Sequence, residues 1–280
     1  MSFFERLRSL INKGTLNSSG YKASSFLNKN AIDFLNPFIN DLQIFHPAMS
    51  SMLESNEGVR KWEYGMMLYC LPSFQDKSVL DIGSGPSFLP LFLAKTQGAR
   101  VTVLELPQPY TIEFEQISLR FRQENITLKA GDMRDMPFED DLFDYVISIS
   151  VIEHLSHSLD HTSFASDEIF IHETKQTLKE MYRVLRPGGW IYLTSDAYIP
   201  GRVKQDLWAG KLLNGNPYGA YSIEELTNIF IKTLQEIGAN FPFPIKFEKS
   251  LLLSSSKYAS YRNRYMTVFN LFAQKPIHAQ

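Results

Sequence analysis

The chain has 280 residues, 44% of them hydrophobic, which suffices for one large domain or a domain with a cap. Its 28 Lys and Arg against 30 Asp and Glu leave a formal charge of −2, so no overall attraction to phosphate backbones or anionic membranes is built in, and a nucleic-acid partner is not expected. One cysteine, Cys70, excludes an internal disulfide and a thiolate metal cluster, and no apolar run reaches the roughly 20 residues of a membrane helix; with no signal-like N-terminus, a cytoplasmic location is the expectation.

Residues 2–13 place Phe3, Leu7, Leu10 and Ile11 at helical spacing among Arg6, Arg8 and Lys13. A helix packed on the domain is the first reading, and peripheral contact with a membrane surface the second. Residues 14–25, rich in Ser, Gly and Asn, read as a linker, and 26–55 as short helices broken near Pro37 and Pro47. Residues 1–55 are therefore expected to form an N-terminal helical cap ahead of a domain over 56–280. In 57–71, Val59, Trp62, Met66 and Tyr69 fall three and four apart and Pro72 ends the run, which predicts a helix with Cys70 as a packed core thiol.

The stretch 78–89, SVLDIGSGPSFL, runs from a short apolar segment through an acid into glycines. Val79, Leu80 and Ile82 suit a buried strand, Gly83 and Gly85 allow a tight turn, and Pro86 suits the first turn of a helix. Bare backbone N–H groups then face a small ligand. A dinucleotide-binding turn wants Gly or Ala where this chain has Phe88, which disfavours NAD.

Beyond that turn, 89–95 reads as a helix closed by Gly98, 100–104 as a strand closed by Glu105, 108–123 as a helix, 126–129 as a third strand before Gly131-Asp132, and 142–150 as a fourth. Glu153-His154 follow that strand. Residues 156–173 hold three of the six histidines without a clear period and read as an insertion over the site; a helix is expected near 174–185, stopped by Arg186-Pro187-Gly188-Gly189 before a strand over 190–195. The Gly-, Pro- and Tyr-bearing stretch 197–221 reads as a functional loop, Ser222 as the N-cap of a helix with Glu225 completing a capping box, and 247–253 with 266–274 as a closing strand pair. The alternation predicts a doubly wound, Rossmann-like α/β fold with a mostly parallel seven-stranded sheet, helices on both faces, and ligands at the carboxyl ends of the strands.

In that topology the glycine turn, Glu105, the Gly131-Asp132 loop and 150–154 face one crevice. An acid ending the second strand can accept both hydroxyls of a ribose, and Asp132 can accept from an exocyclic adenine amine; a solvated strand end and a turn aspartate remain the alternatives. Taken together, VLDIGSGP, GDMRDMPFEDDLFDYVIS, SVIEHL and EMYRVLRPGGWIYLT resemble the successive motifs of class I S-adenosylmethionine-dependent methyltransferases over about residues 57–275, most like the branch acting on small metabolites, quinones, lipids and sugars. The resemblance implies S-adenosyl-L-methionine as cofactor. It implies that Asp81, Gly83 and Gly85, with Ser84, hold the methionine part, Glu105 with Leu106 the ribose, Asp132 with Met133 the adenine, and that Ser150 backs the sulfonium. Ser87 stands where the family has a third glycine, and the stretches 156–173 and 197–221 depart from its pattern.

Methyl transfer needs an aligned acceptor and, for a hydroxyl or ammonium, removal of a proton. His154 is the candidate base and Glu153 its neighbour that orients it or holds the acceptor; a backbone-bonded structural histidine is the alternative. His157 and His161, with Asp160 nearby, lack a third placed ligand, so no metal is expected. Asn216-Pro217-Tyr218 resembles a base-amino methyltransferase motif but follows the fifth strand rather than the fourth, and reads as a turn. Transfer to a small-molecule acceptor is the leading expectation; a non-catalytic cofactor-binding regulator and a protein or nucleic-acid methyltransferase are the rivals, the last lacking a basic groove beyond Arg262–Arg264.

Overall fold

A strand buried along all but its first residue, β1 (Ser78–Ile82), occupies the middle of the sheet, where both of its faces are covered. The computed structural model describes residues 59–85, 87, 89–107, 126–156, 167–198, 225–243 and 266–277, with the pairs 212–213, 216–217, 221–222 and 246–247. In chain order these form α1 (Val59–Cys70), β1, α2 (Leu89–Lys95), β2 (Arg100–Glu105), β3 (Thr127–Ala130), β4 (Phe143–Ile149), a 3₁₀ turn (Ile152–Ser156), α3 (Asp167–Val184), β5 (Leu185–Tyr198), a π-helical turn (Leu226–Ile231) running into α4 (Lys232–Glu236), and β6 (Met266–Gln274).

The six strands run in the order β3-β2-β1-β4-β5-β6. All are parallel except β6, which pairs antiparallel with β5 from Met266 opposite Tyr198 to Gln274 opposite Trp190. Lys246–Phe247 pairs with the outer edge of β6, and Tyr221–Ser222 with the end of β5. The period of two along each strand sorts the side chains into two cores. Val79, Val103, Ile147 and Tyr192 pack with α1 and α2; Leu80, Ile82, Val146 and Leu193 pack with α3 and the π-helical turn. Cys70 lies buried in the first core, as its apolar neighbours predict. The expected cap over 1–55, the helix over 108–123 and most of 197–221 lie outside the described residues.

Several expected boundaries move. Helix α3 begins at Asp167, so its first two turns take up part of the stretch read as an insertion. The period was hidden there because Ile169 is half exposed while Phe170 and Ile171 are only partly covered. Helix α3 ends at Val184, ahead of Pro187-Gly188-Gly189, which lies within β5 instead of separating helix from strand. β5 starts at Leu185 opposite Phe143, shifts register, and resumes at Trp190 opposite Tyr145. Gly188, at φ +82°, donates its N–H to Lys275 O at 2.7 Å, and Gly189 has no room for a β-carbon, which would stand 2.8 Å from Asp144 O. Ser222 continues the short pairing with β5, and residues 223–224 of the expected capping box lie outside the described set.

Candidate functional site

The chain winds from β1 outward to β2 and β3, then returns to place β4 on the other side of β1. That reversal opens a crevice at the carboxyl ends of β1 and β4, where the connections leave in opposite directions. Gly83 begins the turn at φ +67°, its N–H still donating to Leu104 O at 2.9 Å. A β-carbon on Gly83 would meet Val151 Cγ1 at 2.5 Å, whereas one on Gly85, at φ +53°, would meet nothing within 4 Å among the described residues. The turn is thus closed on its β4 side and open on the other. Ser84 lies between the two glycines, half-buried, with its hydroxyl donating to Gly85 O at 3.3 Å.

Asp81 is one residue short of the end of β1 and points to the face covered by α1, as Val79 does. It is 2% exposed, and Oδ2 has no hydrogen-bond partner among the described residues. Burial, and then the neighbouring Glu105 carboxylate, raise its pKa well above the ordinary aspartate value, with Arg60 opposing. Glu105, buried at the end of β2, accepts the Gly85 N–H at 2.5 Å, so the second strand end and the glycine turn meet. Leu106 follows, half-buried.

Ser87, at the place of the expected third glycine, accepts the Leu89 N–H at 3.1 Å and so caps α2, and its hydroxyl meets Tyr64 OH at 3.2 Å. The serine serves the helix start as glycine could not, and draws α1 onto the turn.

The β3–β4 connection carries Asp132 and Met133. Both Asp132 oxygens are engaged by Arg134, at 2.6 Å for Nη2 to Oδ2 and 2.9 Å for Nε to Oδ1, and Arg134 Nη1 reaches Glu173 on α3 at 2.6 Å. Burial works against the charge, but these bonds hold the Asp132 carboxyl below its usual value. The Arg134 backbone N–H adds a bond to Oδ1 at 2.8 Å and Nε a second one to Oδ2 at 3.1 Å, so Arg134 occupies about all four lone-pair sites of the carboxylate. Met133 packs half-buried on the α3-side core.

At the end of β4, Ser150 takes a left-handed backbone, φ +52°, and its N–H donates to Thr194 O and Thr194 Oγ1, both at 3.1 Å. Its hydroxyl donates to Glu63 Oε1 at 2.8 Å. The 3₁₀ turn that follows separates the two candidate catalytic residues: Glu153 is 7% exposed and His154 is exposed. Ser195 Oγ donates to Glu153 at 2.8 Å. Burial, then the nearby Asp196 carboxylate, push the Glu153 carboxyl up to about 8. Among the described residues no group of three His, Cys, Asp or Glu could hold a metal ion; His157 and His161 lie outside them.

Residues 80–193, from the third residue of β1 into β5, match the family described as a methyltransferase domain. Over that stretch the chain is similar to class I S-adenosylmethionine-dependent methyltransferases. A norajmaline N-methyltransferase of Rauvolfia serpentina is 27% identical over 133 residues, 47% of this chain and 40% of that protein. A demethylmenaquinone methyltransferase of Chlorobaculum parvum is 26% identical over 203 residues, 65% of this chain and 75% of that protein. The chain thus spans less than half of the first relative's length. The structure of a geranyl diphosphate C-methyltransferase from Streptomyces coelicolor A3(2), solved with Mg2+, geranyl diphosphate and S-adenosyl-L-homocysteine, superposes with TM-score 0.52 at 13% identity, covering 93% of this chain and 86% of that one; at that identity the likeness is one of fold. S-adenosylmethionine is the cofactor of such a domain. The crevice suits it: among the described residues the buried Asp81 Oδ2 lacks a partner and can take an ammonium, and the open side of the turn at Gly85 leaves room for a ligand against the backbone.

Arg60 and Glu63 belong to the walls of the crevice with Thr194; the two α1 residues escape the sequence motifs, whereas Thr194 ends the last of them without a role assigned to it. The signal in α1 was its apolar residues on nearly every side, with Trp62, Met66, Met67 and Cys70 all buried, which leaves no solvent face for Glu63.

Proposed function

We propose that the protein transfers a methyl group from S-adenosylmethionine to a small-molecule acceptor. The observation that carries this reading is the meeting of the glycine turn with two buried carboxylates, Asp81 and Glu105, at the switch point of a methyltransferase domain. The sulfonium of the bound cofactor supplies an electrophilic methyl group. Asp81 receives the methionine ammonium beside Gly83, Ser84 and Gly85. Arg60, the guanidinium whose field reaches Asp81 and Glu153, is placed for the methionine carboxylate. Glu105 exchanges its bond to Gly85 for the ribose hydroxyls, with Leu106 beside the sugar. Asp132, oriented by Arg134, and Met133 border the adenine, and Ser150 stands behind the sulfonium.

Proton removal from the acceptor falls to the turn after β4. Glu153, poised near neutrality, accepts the proton, and His154 at the exposed rim passes it to water. The acceptor enters beside that turn. A division into a segment 1–55 and a catalytic domain 56–280 completes the reading. The relatives' names, an N-methyltransferase for an alkaloid and a quinone methyltransferase, support a small acceptor rather than a macromolecule. Incubation with methyl-labelled S-adenosylmethionine and cell extract, followed by fractionation by size, tests the proposal: label is expected in small molecules. Label confined to protein or nucleic acid, or no transfer by a protein that binds the cofactor, would overturn it.

A further inference from the structure

Helix α1 inserts a carboxylate into the sheet's carboxyl edge. Glu63 is fully buried, and its two oxygens divide their work. Oε1 accepts from Ser150 Oγ at 2.8 Å and from Thr194 Oγ1 at 2.6 Å, tying together the ends of β4 and β5. Oε2 accepts from Arg60 Nη1 at 2.8 Å, one turn earlier on α1, and the same nitrogen lies 3.4 Å from Ile149 O. The main chain joins in, since Tyr192 OH donates to Glu63 O at 2.6 Å. A buried carboxylate with three donors, one of them its ion-pair partner Arg60, is a satisfied group; removing it leaves those donors without this acceptor.

The consequence reaches the crevice through Ser150. That residue has one hydroxyl proton, and the proton is given to Glu63, so only oxygen lone pairs remain for anything bound in front of it. Its backbone N–H is already committed to Thr194. Ser150 therefore offers acceptor character alone, which suits the cationic end of S-adenosylmethionine and gives less to the neutral thioether of the product. Were the Glu63 acceptor lost, the hydroxyl would be free to rotate and present its proton instead. The left-handed backbone at Ser150 adds to the case: a non-glycine residue holds φ +52° only where its surroundings fix it, and the Glu63 and Thr194 bonds are what surround it.

We propose that Glu63 is a positioning residue of the cofactor site, holding Ser150 as an acceptor toward the sulfonium and so favouring the methyl donor over its demethylated product. The inference rests on reading the crevice as the cofactor site. Calorimetric titration of the full chain with S-adenosylmethionine and, separately, S-adenosylhomocysteine tests it. Glu63→Gln keeps the size and one acceptor oxygen but loses the charge; Thr194→Val removes a donor to Glu63. For Glu63→Gln we expect affinity for S-adenosylmethionine to fall at least about ten-fold and that for S-adenosylhomocysteine to fall several-fold less. Thr194→Val, which leaves the Ser150–Glu63 bond in place, should shift the same ratio in the same direction by a smaller factor and serves if Glu63→Gln does not fold. In a Ser150→Ala background the Glu63 substitution should lose its selective effect on the donor. An unchanged donor-to-product ratio in folded variants, or an equal loss for both ligands, overturns the proposal. Failure of the wild-type protein to bind either ligand would instead strike at the reading of the crevice.

Discussion

Replacing Gly83 by alanine adds one carbon where the structure has room for none. The new atom would stand 2.5 Å from Val151 Cγ1 and 2.9 Å from Cγ2, on a backbone at φ +67°. A left-handed φ costs a residue with a β-carbon about 1–2 kcal/mol, and forcing a methyl group into a packed position costs about 1–3 kcal/mol more. The expected loss is therefore about 2–5 kcal/mol. The two contributions separate in a double-mutant cycle, because Val151→Ala removes both γ-carbons and leaves only Cβ, at 3.3 Å. Backbone strain should survive in the double variant while the overlap disappears, giving a favourable coupling of about 1–3 kcal/mol. Urea unfolding followed by circular dichroism on the four proteins measures this, and titration with S-adenosylhomocysteine on the same samples should show the single variant binding at least about ten-fold more weakly. If Gly83→Ala is as stable as wild type to within about 0.5 kcal/mol, or if Val151→Ala restores nothing, the close approach of the turn to the segment after β4 is not what fixes glycine at this position.

Glu105→Ala should weaken S-adenosylmethionine binding at least about ten-fold, since two charge-assisted hydrogen bonds to the ribose are worth roughly 1.5–3 kcal/mol each; unchanged affinity by calorimetry in a folded variant would remove the ribose role. Glu153 gives a pH signature. Its carboxyl is raised from 4.5 to about 8 in the folded protein, so the folded state holds a proton that the unfolded chain releases. The stabilisation is complete below the lower value and is lost as pH rises through the higher one. The urea midpoint of wild type should drop between about pH 5 and about pH 9, and Glu153→Gln, which cannot ionise, should flatten that drop; an identical profile in the variant would place the source elsewhere.

The strand-and-turn frame of the site was legible because its chemistry is local. An apolar strand ending in acid and glycine, the acid after 100–104, and Gly131-Asp132 each announce themselves in a few residues, and the structure gathers Asp81, Gly83, Gly85 and Glu105 at one place. What could not be read was any role that depends on a partner far along the chain. Glu63 looks like an ordinary helix charge until Ser150 and Thr194 are brought to it. The difference between Glu153 and His154 was hidden for the same reason, since two adjacent polar residues acquire opposite burial only when the 3₁₀ turn is laid against β5. The early start of α3 was missed because its first turns are covered too little to show a stripe.

The long reach of the Glu63 bonds also orders events during folding. Its contacts to Ser150 and Thr194 span 87 and 131 residues, and that of Tyr192 OH to its carbonyl spans 129. Closing loops of that size is slow, and the entropy is lost before the contacts form. Helix α1 emerges first among the described elements yet has no acceptor for Arg60 at Ile149, and no donors for Glu63 beyond Arg60 of its own helix, until β4 and β5 lie side by side. Until then a chain still being synthesised carries an apolar helix with nowhere to dock. The crevice is accordingly among the last parts to be completed, and under its proposed role as the cofactor site, affinity for S-adenosylhomocysteine reports on whether the whole sheet as far as β5 has assembled rather than on the glycine turn alone.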